Sequence, residues 1–207
     1  MSGRPKSFDI SSLMDESVTL FWRQGYQATS VRDVAKAGGL TTGTIYNEFD
    51  GKEGLYVASI EHYFNKVIKP RVDSILLAEH PNFLKKGQSD SPMVRLHHFL
   101  VSSIHNIPKE VSYQACLLVN TQCEFGEGNS LIQKTTKKAT DYISSALLLT
   151  LKQAKDLQLI SPKKTEMELL SFIYVFFNGL LITAKQTKNS TQLLPTIDQF
   201  IEQLKSS

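Results

Sequence analysis

Apolar residues recur at steps of three and four along almost the whole chain, and this spacing constrains the fold more than any other feature. In the first segment the pattern is carried by Ile10, Leu13, Met14, Val18 and Phe21. Such spacing lines one face of an α-helix, whereas a strand needs alternation at every second residue. Strand-like alternation is sparse, so the sequence predicts an all-α protein.

Composition and charge narrow the class of protein. The 207 residues are 41% hydrophobic and 21% charged, with a formal net charge of +3. That balance does not by itself indicate a nucleic-acid binder or a polybasic membrane protein. Two cysteines cannot build a disulfide framework, which favours a reducing compartment.

Neither export nor membrane insertion is predicted. Residues 1–9 are polar and basic, and no apolar signal core follows them. The longest apolar stretch, residues 169–184, is interrupted by Ser171, Asn178 and Gly179. It is also shorter than the ~20 residues of a bilayer span. We therefore expect a buried helix and a cytoplasmic protein.

Three short helical segments in the first 50 residues predict a helix-turn-helix. The first segment should end near Gly25, where glycine accepts a left-handed conformation. Ser30 and Asp33 have the spacing of a capping box at the start of the second segment. Asp50 and Glu53 have the same spacing, and we expect this pair to open a longer fourth helix.

The spacing within this segment favours two helices in close contact. Ala35 is small enough to let them approach, Gly39 permits a positive φ in the turn, and Ile45 anchors the third helix to the core. That helix, capped by Thr41 or Thr42, begins with threonine and glycine rather than long charged side chains. Threonine hydroxyls and methyls can contact base edges. A hairpin that only packs, with its threonines serving as caps, is the alternative.

The charge of this first module argues against strong DNA binding by a single copy. Residues 1–53 contain six basic and seven acidic side chains, a formal charge of −1. A free-standing DNA-binding domain is normally basic, and affinity rises with the number of phosphates neutralised. We therefore expect two copies to act together on one dimer.

Residues 10–65 closely resemble the DNA-binding module of TetR-type transcriptional regulators. The resemblance is carried by the run LFWRQGYQATSVRDVAKAGGLTTGTIYNEFDGKEGLY, with its Phe-x-x-x-Gly-Tyr turn, Thr-Ser helix start, Val-x-x-x-Ala, Gly-Leu and Lys-Glu-x-Leu elements. It implies a two-domain dimeric repressor that leaves double-stranded operator DNA when a small-molecule effector binds its C-terminal domain. It also implies that bases are approached by Thr42, Gly43 and Thr44, with Arg32 joining them, and that phosphates are held by Thr29, Ser30, Tyr46, Asn47 and Lys52.

The predicted organisation is a helix-turn-helix DNA-binding domain at residues 1–53 and a larger helical ligand-binding and dimerisation domain at residues 54–207. A connecting helix is expected at about residues 51–76, with Pro70 inside it or kinking it. Further helices are predicted at residues 94–106, 114–125, 131–157, 163–187 and 193–204.

The helix at residues 163–187 is apolar nearly all round, which predicts burial on more than one side. The resemblance implies a dimer-forming four-helix bundle in this part of the chain, so we expect a homodimer through the C-terminal helices. The partner stripe could consist of Ala139, Ile143, Ala146, Leu147, Thr150 and Ala154. A monomer with a thick core is the alternative.

Candidate effector contacts are polar, aromatic or thiol side chains within apolar helices: His97, His98, Asn106, Cys116, Asn120, Tyr174 and Asn178. Cys116 stands in a Cys-Leu-x-x-Asn stretch that resembles one in electrophile- or oxidant-sensing members of the family. A small buried core residue is the alternative for this cysteine.

No metal site, cofactor site or catalytic constellation is predicted. Cys116 and Cys123 are seven residues apart, which does not fit a CxxC pair. The His97-His98 pair has no carboxylate nearby at a ligand spacing, and no nucleophile elbow occurs. The leading hypothesis is a ligand-responsive DNA-binding regulator, most simply a repressor. A helical interaction module and, third, a helical enzyme using the histidine pair are its rivals.

Overall fold

The computed structural model describes residues 10–79, 84, 90–105, 116–128, 130–187 and 189–206, and every regular element within these ranges is helical. The all-α prediction is therefore confirmed. The N-terminal helices are α1 (Ile10–Ala28), α2 (Val31–Ala37) and α3 (Thr42–Phe49). A long rod follows, made of α4 (Lys52–Tyr63), a π-helical turn (Phe64–Ile68), α5 (Lys69–Val72) and a second π-helical turn (Asp73–Leu77). The remaining helices are α6 (Pro92–His105), α7 (Leu117–Phe125), α8 (Leu131–Asp156), α9 (Glu166–Gln186) and α10 (Leu194–Ser206), with a 3₁₀ turn (Ser190–Leu193) before α10.

The boundaries of the first three helices follow local signals in the sequence. Helical geometry in α1 breaks at Gly25 (φ 80°, ψ 171°), a backbone conformation that is essentially restricted to glycine. Ser30 caps α2 through the predicted capping box with Asp33. Gly39 has the expected positive φ of 65°, and Thr41 caps α3. These predictions are confirmed because each depends on interactions within a few residues of chain.

The start of α4 differs from the expected pattern. Asp50 does not open this helix: it ends α3 in the left-handed conformation, with φ 56°. Gly51 is the N-cap of α4 and makes no side-chain cap hydrogen bond. The predicted Asp50–Glu53 capping pair is therefore wrong, because the chain needs a left-handed residue there to reverse direction between α3 and α4.

Pro70 lies inside the helical rod and is flanked by the two π-helical turns. Proline lacks an N–H and its ring crowds the carbonyl four residues earlier, so the regular hydrogen-bond ladder cannot continue through it. The rod absorbs the misfit by widening on both sides of Pro70 instead of ending. Helical structure consequently runs without a gap from Lys52 to Leu77.

The packing of α1 on α4 joins the N-terminal helices to the rest of the chain. The Ser17 and Ser59 hydroxyls are buried and lie 2.7 Å apart. Ser59 already donates to the Leu55 carbonyl, so Ser17 is the donor to Ser59. The rings of Phe21 and Tyr56 have centroids 4.6 Å apart. The apolar core is continuous across this contact, and the predicted boundary at residue 53 falls in the first turn of α4.

Helix α9 begins at Glu166 rather than at residue 163, because Thr165 forms a capping box with Glu168. The helix has 21 residues, and an 18-residue window within it has a mean hydropathy of 1.7, so it is long and apolar enough to cross a membrane by length and composition alone. Seven of its residues are nevertheless buried within the chain's own fold: Leu169, Leu170, Ile173, Phe177, Leu180, Leu181 and Ala184. A core helix has the same composition, and this packing supports that interpretation.

The predicted partner stripe on α8 lies in the chain's own core. Its six residues, Ala139, Ile143, Ala146, Leu147, Thr150 and Ala154, are all buried within the single chain. The surface that remains apolar is a different one, which we call the exposed stripe: Leu149 on α8 with Phe172, Val175 and Ile182 on α9. Val175 is 75% exposed. The sequence period predicts that two faces exist, but not which face packs inside the chain.

Gly54 provides a test of the close packing between α3 and α4. A Cβ at this position would lie 1.7 Å from the carbonyl oxygen of Phe49, so the backbone would have to move. We expect Gly54→Ala to lower the free energy of unfolding by about 3 kcal/mol, and Tm by roughly 6–12 °C.

Gly43→Ala is the matched control for this measurement. A Cβ at Gly43 would find only the Thr41 hydroxyl, at an ordinary contact distance of 3.7 Å. Alanine also favours the helix by roughly 0.5–1 kcal/mol. Thermal unfolding should therefore show an unchanged or slightly raised Tm for Gly43→Ala. Equal Tm values for the two variants would contradict the close contact.

Candidate nucleic-acid interface and central cavity

The exposed face of α3 begins with small polar residues. Ile45 is fully buried, and this anchor orients the helix. Of the three residues expected on the solvent side of this helix, Thr42 and Asn47 are exposed and Thr44 is half-buried; Gly43 is exposed as well. Tyr46 is also on the surface, with 59% of its area exposed. The structure thus brings together the small start of the helix and the Tyr46 hydroxyl, with side chains able to donate and accept hydrogen bonds.

Thr44 is half-buried and is held by the cap of its own helix. Its backbone N–H donates to the Thr41 hydroxyl oxygen at 3.2 Å, and the two hydroxyls are 3.0 Å apart. The Thr44 methyl and hydroxyl therefore have a fixed direction before any ligand arrives. A preorganised contact loses less side-chain entropy when it binds.

The start of α2 offers a second exposed group of donors. Ser30 and Arg32 are both exposed on this first turn. Hydrogen bonds from Ser30 hold the pKa of the Asp33 carboxyl below its usual value, so this carboxylate stays ionised beside the helix start. Arg32 makes no ion pair or hydrogen bond within the described part of the chain, and its guanidinium is available to an external anion.

Thr29 is placed differently from the other predicted phosphate contacts. Its side chain is only 1% exposed, and its hydroxyl donates to the Gly25 carbonyl at 2.8 Å. In this position Thr29 braces the turn between α1 and α2. Its hydroxyl is not free to reach a phosphate without breaking that hydrogen bond.

Lys52 lies beside the same turn. Its ammonium donates to the Gln27 carbonyl at 3.3 Å and sits 4.3 Å from the centre of the Tyr26 ring. Both contacts are partly open to solvent, so the ammonium is oriented rather than neutralised. The positive charge of Lys52 therefore lies close to the start of α2, where an anion would meet both groups.

A small cavity of about 30 Å³ lies between α1, the α4 rod and the C-terminal helices. Its lining residues are mainly apolar or aromatic: Trp22, Tyr63, Ile68, Arg71, Phe99, Ser103, Cys116, Ile143, Phe177 and Leu181. A volume of this size holds about two water molecules at most. Pockets for drug-sized ligands enclose roughly 300–1,000 Å³, so a guest of that size requires the surrounding helices to move apart.

Polar groups meet at one wall of this cavity. The Tyr63 hydroxyl lies 3.4 Å from the Cys116 sulfur, and the Tyr63 ring packs edge-on against Trp22 with centroids 5.0 Å apart. Burial, followed by the neighbouring Cys116, raises the pKa of Tyr63 well above its usual value, so the phenol stays neutral. Arg71 contributes the cation of the lining.

The predicted effector contacts are not gathered in one place. Of the seven, only Cys116 lines the central cavity. His97 instead lines a wider groove of about 570 Å³ between α6 and α10, where its Nε2 lies 2.8 Å from the Asp198 carboxylate. His98, Asn120, Tyr174 and Asn178 are half-buried elsewhere on α6, α7 and α9, and Asn106 lies outside the described residues.

Sequence reasoning missed most of the cavity wall. Trp22 and Tyr63 belong to apolar helical stripes and read as ordinary core residues. Arg71 and Ser103 carry no motif. Among the described residues, no group of three or more His, Cys, Asp or Glu side chains could hold a metal ion.

Comparison with known proteins agrees with this geometry. Residues 13–59, which include α2, α3 and most of α1, match the family model described as bacterial regulatory proteins, tetR family. Among curated proteins, the HTH-type transcriptional repressor ComR of Escherichia coli (strain K12) is 25% identical over 192 residues. That match covers 93% of this chain and 87% of ComR.

Solved structures share the fold along nearly the whole chain. The regulatory protein TetR from Rhodobacter sphaeroides superposes with a TM-score of 0.77 at 18% identity, covering 94% of this chain and 97% of that one. A cysteine mutant of the TetR family regulator CifR, complexed with 26bp double-strand operator DNA, gives a TM-score of 0.71 at 19% identity and covers 96% and 98% of the two chains. Residues 13–59 thus match the DNA-binding module of the tetR family of bacterial regulatory proteins, and the chain as a whole has the fold of TetR-family regulators.

Proposed function

We propose that this chain is a transcriptional repressor that binds operator DNA as a homodimer and is released by a small effector. The observation that carries the proposal is the face of α3, where exposed polar side chains are held at fixed angles by the buried Ile45 and the Thr41 cap. The relative ComR bears the name of a repressor, which supports repression over activation. The helix-turn-helix domain would comprise residues 1–53, and residues 54–207 would bind the effector and the second subunit.

In the proposed complex, Thr42, Gly43 and Thr44 approach base edges, with Arg32 reaching in from α2. Ser30, Tyr46, Asn47 and Lys52 hold phosphates, and Thr29 supports them by bracing the turn. The two copies of α3, the recognition helix of each subunit, would enter successive major grooves about 34–36 Å apart. Because residues 1–53 carry a formal charge of −1, bulk electrostatics adds little and both copies are required.

The exposed stripe on α8 and α9 supports dimerisation. Leu149, Phe172, Val175 and Ile182 are large apolar residues left exposed on two adjacent helices. Gly179 lies between Val175 and Ile182 on α9, and a Cβ built there would meet nothing within 4 Å. An apolar surface with a glycine among its side chains allows close approach of the same surface from a second copy. Two helices from each copy would then form a four-helix bundle.

The central cavity is the favoured effector site. Its wall includes Trp22 of α1 and Tyr63 of α4, which belong to the same helices that carry the DNA-binding module. A guest larger than about 30 Å³ must displace some of these side chains, so binding and module orientation are coupled. A coupling of roughly 1–3 kcal/mol changes DNA affinity about 5–150-fold. The groove at His97 does not contact α1 or α4, which makes it the weaker candidate.

An electrophile is the second form the effector can take. The Cys116 thiol opens onto the cavity and lies beside the Tyr63 hydroxyl. An adduct on this sulfur would occupy the same space as a reversible ligand and would displace the same wall. The proposed DNA target and the free cysteines Cys116 and Cys123 both support a cytoplasmic location, which is part of this proposal.

The DNA contacts predict a loss of affinity on removing single hydroxyls. Tyr46→Phe should raise the operator Kd about tenfold or more, because a hydrogen bond to a charged phosphate contributes roughly 1.5–3 kcal/mol. Thr44→Ala should weaken sequence preference as well. Gel-shift titration against DNA from around its own gene, at several salt concentrations, measures both effects.

Tyr174→Phe, the same change on α9, is the control and should bind DNA as the parent does. Absence of any sequence-specific shift by the parent chain would refute the proposed function.

The exposed stripe predicts a charge-sensitive dimer. Val175→Glu would bring two carboxylates together in an apolar interface, at a cost of several kcal/mol. The dimer Kd should rise more than about 100-fold. Leu157→Glu is the matched control, because Leu157 is 61% exposed but lies at the end of α8, outside the stripe. Sedimentation velocity distinguishes the two variants. A Val175→Glu protein that remains as dimeric as Leu157→Glu would exclude this interface.

The position of the Cys116 thiol allows a test of whether an electrophile releases the protein from DNA. In a Cys123→Ser background, N-ethylmaleimide should modify Cys116 and release operator DNA, since the adduct is larger than the cavity. Cys116→Ser should stay bound under the same treatment. Mass spectrometry reports the extent of modification, and fluorescence anisotropy reports DNA binding. Full modification with unchanged affinity would exclude the electrophile route and leave a reversible ligand.

A further inference from the structure

The turn between α1 and α2 is held by a side chain from the C-terminal part of the chain. The backbone N–H of Tyr26 donates to both oxygens of the Glu124 carboxylate, at 2.9 and 3.2 Å. The carboxylate fits there because Gly25 has no side chain. A Cβ on Gly25 would lie 2.1 Å from a Glu124 carboxylate oxygen. Gly25 thus provides both the backbone break and the space for Glu124.

Further contacts from α7 support the same turn. The Phe125 ring packs edge-on against Tyr26, with centroids 5.1 Å apart. The Tyr56 and Thr121 hydroxyls are 2.8 Å apart, and Thr121 already donates to the Leu117 carbonyl, so Tyr56 is the donor. The end of α7 therefore contacts both Tyr26 and the buried face of α4.

The opposite end of α7 lies at the central cavity. Cys116 is the N-cap of this helix and lines the cavity wall. Nine helical residues from Leu117 to Phe125 span roughly 13 Å at 1.5 Å per residue. A short helix without a break moves as one piece, so a displacement of its cavity end reaches Glu124 at the other end.

We propose that Glu124 is a positioning residue for DNA binding: its carboxylate holds the Tyr26 amide, and thereby sets the direction in which α2, α3 and Lys52 are presented to DNA. In this proposal Glu124 does not contact DNA. It acts through Tyr26, whose ring lies against the Lys52 ammonium. The proposal rests on the proposed repressor function and adds the link between the cavity and the DNA-binding module.

The solvent exposure of Glu124 makes a positioning role distinguishable from a contribution to global stability. The carboxylate–amide contact is exposed to solvent, and exposed polar contacts contribute little to global stability. Removing the side chain should therefore free the turn without unfolding the core. It should also remove a negative charge near the DNA-binding face, which by itself would strengthen binding. The positioning role and the charge effect thus predict opposite changes in DNA affinity.

Four variants of the full-length chain test the proposal. The probe is a DNA duplex selected by the parent protein from a random pool, and fluorescence anisotropy at low and high salt gives the Kd for this duplex.

Glu124→Ala should raise this Kd by about 5–30-fold, within the usual range for coupling between sites. Glu124→Asp keeps the charge but is too short to reach the amide, so it should lose affinity as Ala does. Glu124→Gln keeps an acceptor oxygen and should recover most of the affinity. Glu127→Ala, an exposed acid three residues further along, should bind as the parent does.

Amide hydrogen exchange and thermal unfolding complete the test. Glu124→Ala and Glu124→Asp should lose protection at the Tyr26 N–H, while Tm stays within about 2 °C of the parent, as for other surface changes. Parent-like or tighter DNA binding by Glu124→Ala and Glu124→Asp would overturn this proposal alone. A parent chain that selects no duplex would overturn the proposed repressor function, and the positioning role with it.

Discussion

The packing of α1 on α4 is the contact on which the rest of the structure depends. Two aromatic pairs join these helices: Phe21 packs against Tyr56, and Trp22 packs against Tyr63. The first pair lies beneath the turn that leads to α2, and the second pair forms part of the cavity wall. Because the same two helices support the DNA-binding face and enclose the cavity, the two places cannot rearrange independently. A change in this packing, together with a movement of α7, is enough to couple the cavity to the DNA-binding face.

The near-neutral charge of the chain has a structural counterpart. The DNA-binding face offers few cations, and one of them, Lys52, is oriented by the Tyr26 ring and the Gln27 carbonyl. Around them lie hydroxyls, an amide and helix starts, groups that bind phosphate only at short distance and correct angle. A binder of this kind depends on geometry more than on long-range attraction. That dependence explains why small changes in the direction of α2 and α3 would be enough to release DNA, and why an exposed carboxylate such as Glu124 can matter.

Much of the N-terminal module was predictable because its signals are local. The capping box of Ser30 and Asp33, the positive φ of Gly39 and the burial of Ile45 each follow from a few consecutive residues. Asp50 was misread because the Asp-x-x-Glu spacing resembles a helix start, whereas the tight reversal between α3 and α4 places this residue in a left-handed conformation. The family resemblance implied that Thr29 holds a phosphate, but its hydroxyl donates to the Gly25 carbonyl inside the turn.

The C-terminal part shows where periodicity stops being informative. Helix α9 is apolar nearly all round, and the three-four pattern does not rank its faces. Tertiary packing selected the alanine-rich stripe of α8 for the core and left Val175 and Ile182 of α9 outside. Likewise, the cavity is lined by residues from six helices that are distant in sequence, so no local motif could have identified Arg71 or Ser103 as members of its wall.

By itself the sequence determined that the chain is helical, where its first helices start and stop, and which small polar residues occupy the start of the recognition helix. These properties depend on backbone preferences and on side chains within four residues of one another. Only the tertiary structure decided which apolar face is buried, where a cavity remains, and that Glu124 meets the Tyr26 amide across a separation of 98 residues. Those outcomes depend on how whole helices pack, and that packing is set by the summed contacts of many side chains rather than by any single spacing.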